Sequence, residues 1–133
     1  MAMRVNRRVV TAGLAGLASL GLAPPVRARL KETSMYGLIG KMTALPGQRD
    51  ALTEILLESL GTMPGCLSYI VAHDPADETA IWVTEVWTDE ASHRASLQIP
   101  EVKEAIRRGM PLIATFDDVK VTAPVGGAGL AQQ

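Results

Sequence analysis

The chain is short of the residues from which many functional sites are built. Among 133 residues there is one cysteine, Cys66, and the aromatics are two tryptophans, two tyrosines and one phenylalanine. A single cysteine excludes an intramolecular disulfide, and no Cys and His spacing matches a zinc site. Cys66 lies among apolar residues, where a thiol is expected to act as a small inert hydrophobe rather than a nucleophile. No G-x-G-x-x-G follows a strand pattern and no P-loop occurs; Gly126, Gly127 and Gly129 fall in a terminal stretch with no helical pattern after them. Nucleotide cofactors therefore have no recognisable cradle. With so few aromatics, Trp82, Trp87, Tyr36, Tyr69 and Phe116 must carry most of the bulky contact surface, and their placement carries information.

What remains is ordinary in kind. Apolar residues make up 47% and charged residues 20%, the composition of a globular chain, and the length suits one domain. The first stretch departs from that pattern. Arg7-Arg8 precede a Gly- and Ala-rich apolar run over residues 9–23, then Pro24-Pro25 and Val26-Arg27-Ala28. Positive start, apolar middle and small residues before a cut form the layout of a secretory signal, with cleavage expected after Ala28. The run is shorter than the ~20 residues a spanning helix needs, so no permanent membrane anchor is expected. The paired arginines are similar to a twin-arginine (Tat) leader, although Ser or Thr before them and Phe-Leu after them are missing. Export to the periplasm or medium is the expectation, with a cytoplasmic protein starting at Met35 as the alternative; N-terminal sequencing of the cellular protein distinguishes the two. Residues 1–28 hold four arginines and no acid, leaving nine basic against 14 acidic residues, a net charge of −5. Nucleic acid, which rewards basic surfaces, is not an expected partner.

Beyond a linker at 29–34, the pattern reads as a domain over 35–123 and a flexible tail at 124–133. "YGLIGKMT" is a strand stopped by Pro46-Gly47. "QRDALTEILLESLGTM" places Ala51, Leu52, Ile55, Leu56, Ser59 and Leu60 on one helical stripe, with Asp50, Glu54 and Glu58 opposite. Residues 66–72 and 80–88 form a hairpin around "HDPADET". Thr88 or Asp89 then caps a helix, Pro100 opens a further helical segment, and residues 115–122 make a last strand. Strand, helix, strand, strand, helix, strand is the order of an α+β ferredoxin-like fold, an antiparallel sheet with helices on one face.

The hairpin is apolar on both faces. With Val71 pairing near Ile81, one face carries Leu67, Tyr69, Val71, Ile81, Val83, Glu85 and Trp87; the other carries Cys66, Ile70, Trp82 and Val86. Helices cover one face only, and a solvated face should be polar. The second face is therefore expected to meet the sheet of a second copy, giving a homodimer and a dimeric α/β barrel.

"MYGLIGKMTALPGQRDAL", "MPGCLSYIVAHDPADETAIWVTEVWTDEASHRASL" and "PLIATF" together resemble the antibiotic biosynthesis monooxygenase (ABM) family, across roughly residues 35–122. The resemblance implies a dimeric ferredoxin-like barrel with an apolar pocket between sheet and helices. It also implies oxidation of a quinol-like or polycyclic aromatic substrate by O₂, with no flavin, haem or metal cofactor. Such chemistry needs an apolar ring site, a base and a hydrogen-bond donor. A related branch degrades haem with an Asn, a Trp and a His at positions that fall near Gly40, Ser96 and Ile106 here, and none of the three matches. A non-catalytic ligand-binding or protective dimer, or an isomerase of the dimeric barrels, remains open.

His93, in the helix after the "EVW" strand, is the first candidate for base, because unperturbed histidine titrates near neutrality. Glu85, a carboxylate in mid-strand between Thr84 and Val86, is the second. Tyr69 shares Glu85's face and can donate to substrate. Arg94 is a candidate for steadying an anion, although helical neighbours point about 100° apart, which sets it against His93. Trp82 and Trp87 are candidate substrate contacts of opposite parity, so only one of them can face a given cavity. His73 starts the hairpin loop and is expected at the surface.

Overall fold

A computed structural model describes residues 34–61 and 63–131. The expected leader, residues 1–28, lies outside the described residues, as does the linker up to residue 33. The elements run β1 (Tyr36–Ala44), α1 (Arg49–Glu58), β2 (Cys66–His73), β3 (Ala80–Trp87), α2 (Glu90–Ser96), α3 (Pro100–Gly109) and β4 (Ile113–Thr122), with short 3-10 turns after α1 and α3. The four strands form one antiparallel sheet in the order β2-β3-β1-β4. This is the ferredoxin-like α+β arrangement that the order of elements implies.

Alternation along each strand sorts side chains into two faces. Directly paired residues share a face, so the pairs Tyr36 with Trp87, Leu38 with Glu85, Met42 with Ile81 and Tyr69 with Glu85 define the side the helices cover. The core sits there: Ala44, Leu52, Ile81 and Val83 are buried, with Met42, Leu56, Tyr69, Val71, Leu112 and Ile113 against them. Fully burying a Leu or Ile side chain is worth about 1.5–3 kcal/mol. Helices α1 and α3 close over this layer where Gly109 passes Leu52; a Cβ at Gly109 would lie 3.3 Å from Leu52 Cδ1.

The hairpin register differs from the expected one. Val71 pairs with Val83, not near Ile81, and β2 continues to His73, opposite Ile81, with the Asp74 N–H then donating to the Ala80 carbonyl at 3.1 Å to close the loop. A slip of two residues keeps every side chain on its face. Cys66 is the exception. An irregularity between Cys66 and Ser68 brings Cys66 opposite Trp87, away from the open face where strict alternation placed it. Ala51 is exposed, outside the α1 stripe, whereas Leu52, Ile55 and Leu56 turn inwards as expected. After β4, Pro124 packs on Gly37 and the Ala131 N–H donates to the Leu67 carbonyl at 2.9 Å, which ties the segment to β2.

Helix α2 begins where the Asp89 carboxylate accepts from the Ser92 N–H at 2.7 Å, the cap that its position suggested. Gly65 lets this corner close. Its φ is +81°, and a Cβ there would meet Ser92 at 2.6 Å and Thr88 Oγ1 at 2.8 Å. Gly65→Ala therefore combines a left-handed backbone with a clash, and is expected to cost about 1–3 kcal/mol in chemical denaturation. A loss below a few tenths would contradict that account of the corner.

Candidate active site

Between the sheet and the helices lies a cavity of about 310 Å³ whose walls are mainly apolar, including Met42, Leu52, Ile55 and Val102. Its polar part is assembled from three elements. Strand β3 places Glu85 and Trp87 two residues apart, hence on one face. Strand β2 sets Tyr69 directly opposite Glu85. The Asp89 cap then turns the chain so that His93, one turn into α2, comes back over the same strand.

The contacts between these groups are specific. Trp87 Nε1–H donates to Glu85 Oε2 at 2.8 Å. His93 Nε2 lies 3.8 Å from that same oxygen, and both side chains are largely shielded from solvent. At this distance the two do not share a hydrogen bond, but they form an ion pair once the imidazole carries a proton. The ring of His93 meets the edge of Trp87 at 5.5 Å and the tilted ring of Tyr36 at 5.4 Å, which fixes its plane. The Ser96 hydroxyl donates to the His93 carbonyl at 2.6 Å, holding the helix turn itself.

Electrostatics follow from the single carboxylate. Burial, then the Glu85 charge, push the Tyr69 hydroxyl far above the ordinary phenol range. Tyr69 is therefore a donor at any physiological pH. The same two causes, in the same order, raise Cys66, which stays a thiol.

Four of the six candidates from the sequence, His93, Glu85, Tyr69 and Trp87, line this cavity together. Two do not. Trp82 lies on the opposite face of the sheet, where its Nε1–H donates to Asp74 at 3.0 Å and Lys41 sits over its ring. Arg94 is exposed and paired with Glu90 one turn back on α2, so its guanidinium points to solvent. His73 is at the surface, its Nε2 2.9 Å from the Thr53 hydroxyl. Sequence reasoning missed the packing role of Tyr36, although its pairing with Trp87 follows from β1 alternation once the register is known. It also missed Ser96 and the mouth residues Leu97, Ile106 and Met110, for which helix periodicity alone carries little signal. Among the described residues, no group of three or more His, Cys, Asp or Glu side chains is placed to hold a metal ion. No helix among them is long and apolar enough to cross a membrane.

A four-stranded antiparallel ferredoxin-like sheet with an apolar cavity under its helices defines the class: an α+β scaffold with a cavity between sheet and helices. Residues 35–108 match the antibiotic biosynthesis monooxygenase family, and the chain belongs to that family. A protein of Chloroflexus aurantiacus, provisionally described as an antibiotic biosynthesis monooxygenase, is 61% identical in sequence. Its structure covers 74% of this chain and 100% of its own, with a TM-score of 0.72. A Caulobacter crescentus structure of the same provisional description is 17% identical, covers 71% and 93% of the two chains, and has a TM-score of 0.65, a likeness of fold alone. An uncharacterised protein of Synechocystis is 25% identical over 85 residues, and the match spans 62% of this chain and 58% of that protein's length.

Proposed function

We propose that this chain is a cofactor-independent monooxygenase that oxidises a small quinol-like aromatic with O₂. The observation that carries the reading is the meeting of Glu85, Trp87, His93 and Tyr69 at one apolar cavity. His93 takes a phenolic proton from the bound ring, and Glu85, held by the Trp87 N–H, stabilises the imidazolium that results. The phenolate is electron-rich enough to reduce O₂ directly. Tyr69 donates to the anion or to the oxygen adduct that follows. The balance closes on the substrate: a quinol and O₂ give a hydroxyquinone and water. One oxygen atom bonds to a ring carbon, the other leaves as water, and the quinol supplies all four electrons. The cavity lies at the lower end of the ~300–1,000 Å³ range of ligand sites, which favours one or two fused rings over larger polycycles.

Purified protein free of metal and flavin should take up O₂ when given a quinol, above the rate of the quinol alone. Uptake at the background rate across several one- and two-ring quinols sinks the reading, and binding without uptake leaves a ligand-binding protein.

The same proposal includes a dimer. On the face away from the helices, Ile70 is 56% exposed and Trp82 38%, with Ile39 beside them. A second copy's sheet would cover these residues. Sedimentation should give twice the chain mass, and Ile70→Lys should shift it towards the monomer. A monomeric wild-type protein contradicts this part.

A further inference from the structure

We propose that Glu85 makes the cavity selective for uncharged hydroxy-aromatic ligands, against ring systems that carry a carboxylate or sulfonate. The inference rests on the reading of this cavity as the quinol site and adds the charge class of its substrate. Glu85 is the one acidic side chain in the lining, and neither lysine nor arginine lines it. The nearby arginines are engaged elsewhere: Arg94 with Glu90, Arg107 with Glu104 and Arg108 with Glu58. The remaining polar lining groups are Ser59, Tyr69, His93 and Ser96, which can hydrogen-bond a hydroxyl but offer no fixed positive charge, and Trp87, whose N–H is given to Glu85. The walls are otherwise apolar, so the field of Glu85 is weakly screened, and it already disfavours charge on Tyr69 and Cys66.

A neutral phenol enters without adding charge. When its proton moves to His93, the phenolate, the imidazolium and Glu85 still sum to the charge that was there before binding. A ligand with a permanent carboxylate brings a second negative charge for which no cation is supplied. Selection against anionic ligands therefore coexists with an anionic intermediate.

The test is calorimetric titration of the full protein, without O₂, with 6-hydroxy-2-naphthamide and 6-hydroxy-2-naphthoate, an uncharged and an anionic aromatic of nearly the same shape. In the wild type the naphthamide should bind at least about thirtyfold more tightly. Glu85→Gln should bring the two within about threefold, chiefly by tightening the naphthoate. Ile106→Lys, at the half-exposed mouth, should tighten the naphthoate alone and serves where Glu85→Gln fails to fold. Equal wild-type affinities overturn the inference, as does a preference that survives both substitutions. Selective binding without quinol oxidation would overturn the monooxygenase reading and leave the charge selection standing.

Discussion

Replacing His93 with alanine is expected to lower kcat for quinol oxidation by about 10²–10⁴-fold, the usual contribution of a positioned general base. Ligand affinity should change little, because the cavity walls are formed mostly by other residues. The substitution also removes a ring packed on Tyr36 and Trp87, so thermal unfolding must be measured alongside. Added imidazole separates the two effects: a missing base is partly restored by it, and a collapsed site is not. Glu85→Gln should also lower kcat, because the amide keeps the shape but no longer favours an imidazolium. Full activity in His93→Ala would remove the base from the proposed chemistry.

Leu52→Ala is expected to lower stability by about 2–5 kcal/mol, the sum of lost burial and a cavity that the surroundings fill only in part. Leu52 is 1% exposed and belongs to the cluster with Ala44, Ile81 and Val83. It is also the residue on which α3 rests at Gly109, so its truncation loosens the joint between the helices as well as the core. Denaturant titration monitored by circular dichroism reads the loss directly. A change under 1 kcal/mol, roughly what a surface position gives, would mean that the helices are not held by this contact.

The order of elements was legible because each boundary carries its own chemistry. Pro46-Gly47 stops β1, the Asp-Pro turn closes the hairpin, Asp89 caps α2 and Pro100 opens α3. Residue-level register was less legible. The hairpin is apolar on both sides, so a slip of two residues leaves the hydrophobic pattern equally satisfied, and the register shows only in the backbone pairing of β2 with β3 and in the Asp74 to Ala80 bond that closes the loop. The irregularity at Cys66 was not legible because no Gly or Pro stands within β2, and the Pro64-Gly65 just before it reads equally well as a plain turn. The same symmetry hid which tryptophan faces the cavity. Parity separates Trp82 from Trp87, but only the packing of α1 and α3 says which side is inside. Glu85 stood out as a carboxylate in mid-strand, and its meaning came from two contacts made across elements, with Trp87 and His93.

The proposed chemistry differs from simple quinol autoxidation in where the oxygen goes. Supplying isotope-labelled O₂ to the metal- and flavin-free protein with a one- or two-ring quinol, and following both products by mass spectrometry, tests this directly. The account predicts one labelled atom in the hydroxyquinone, the other in water, and a rate that falls with His93→Ala. Unlabelled quinone accompanied by hydrogen peroxide, at a rate indifferent to His93, would contradict it.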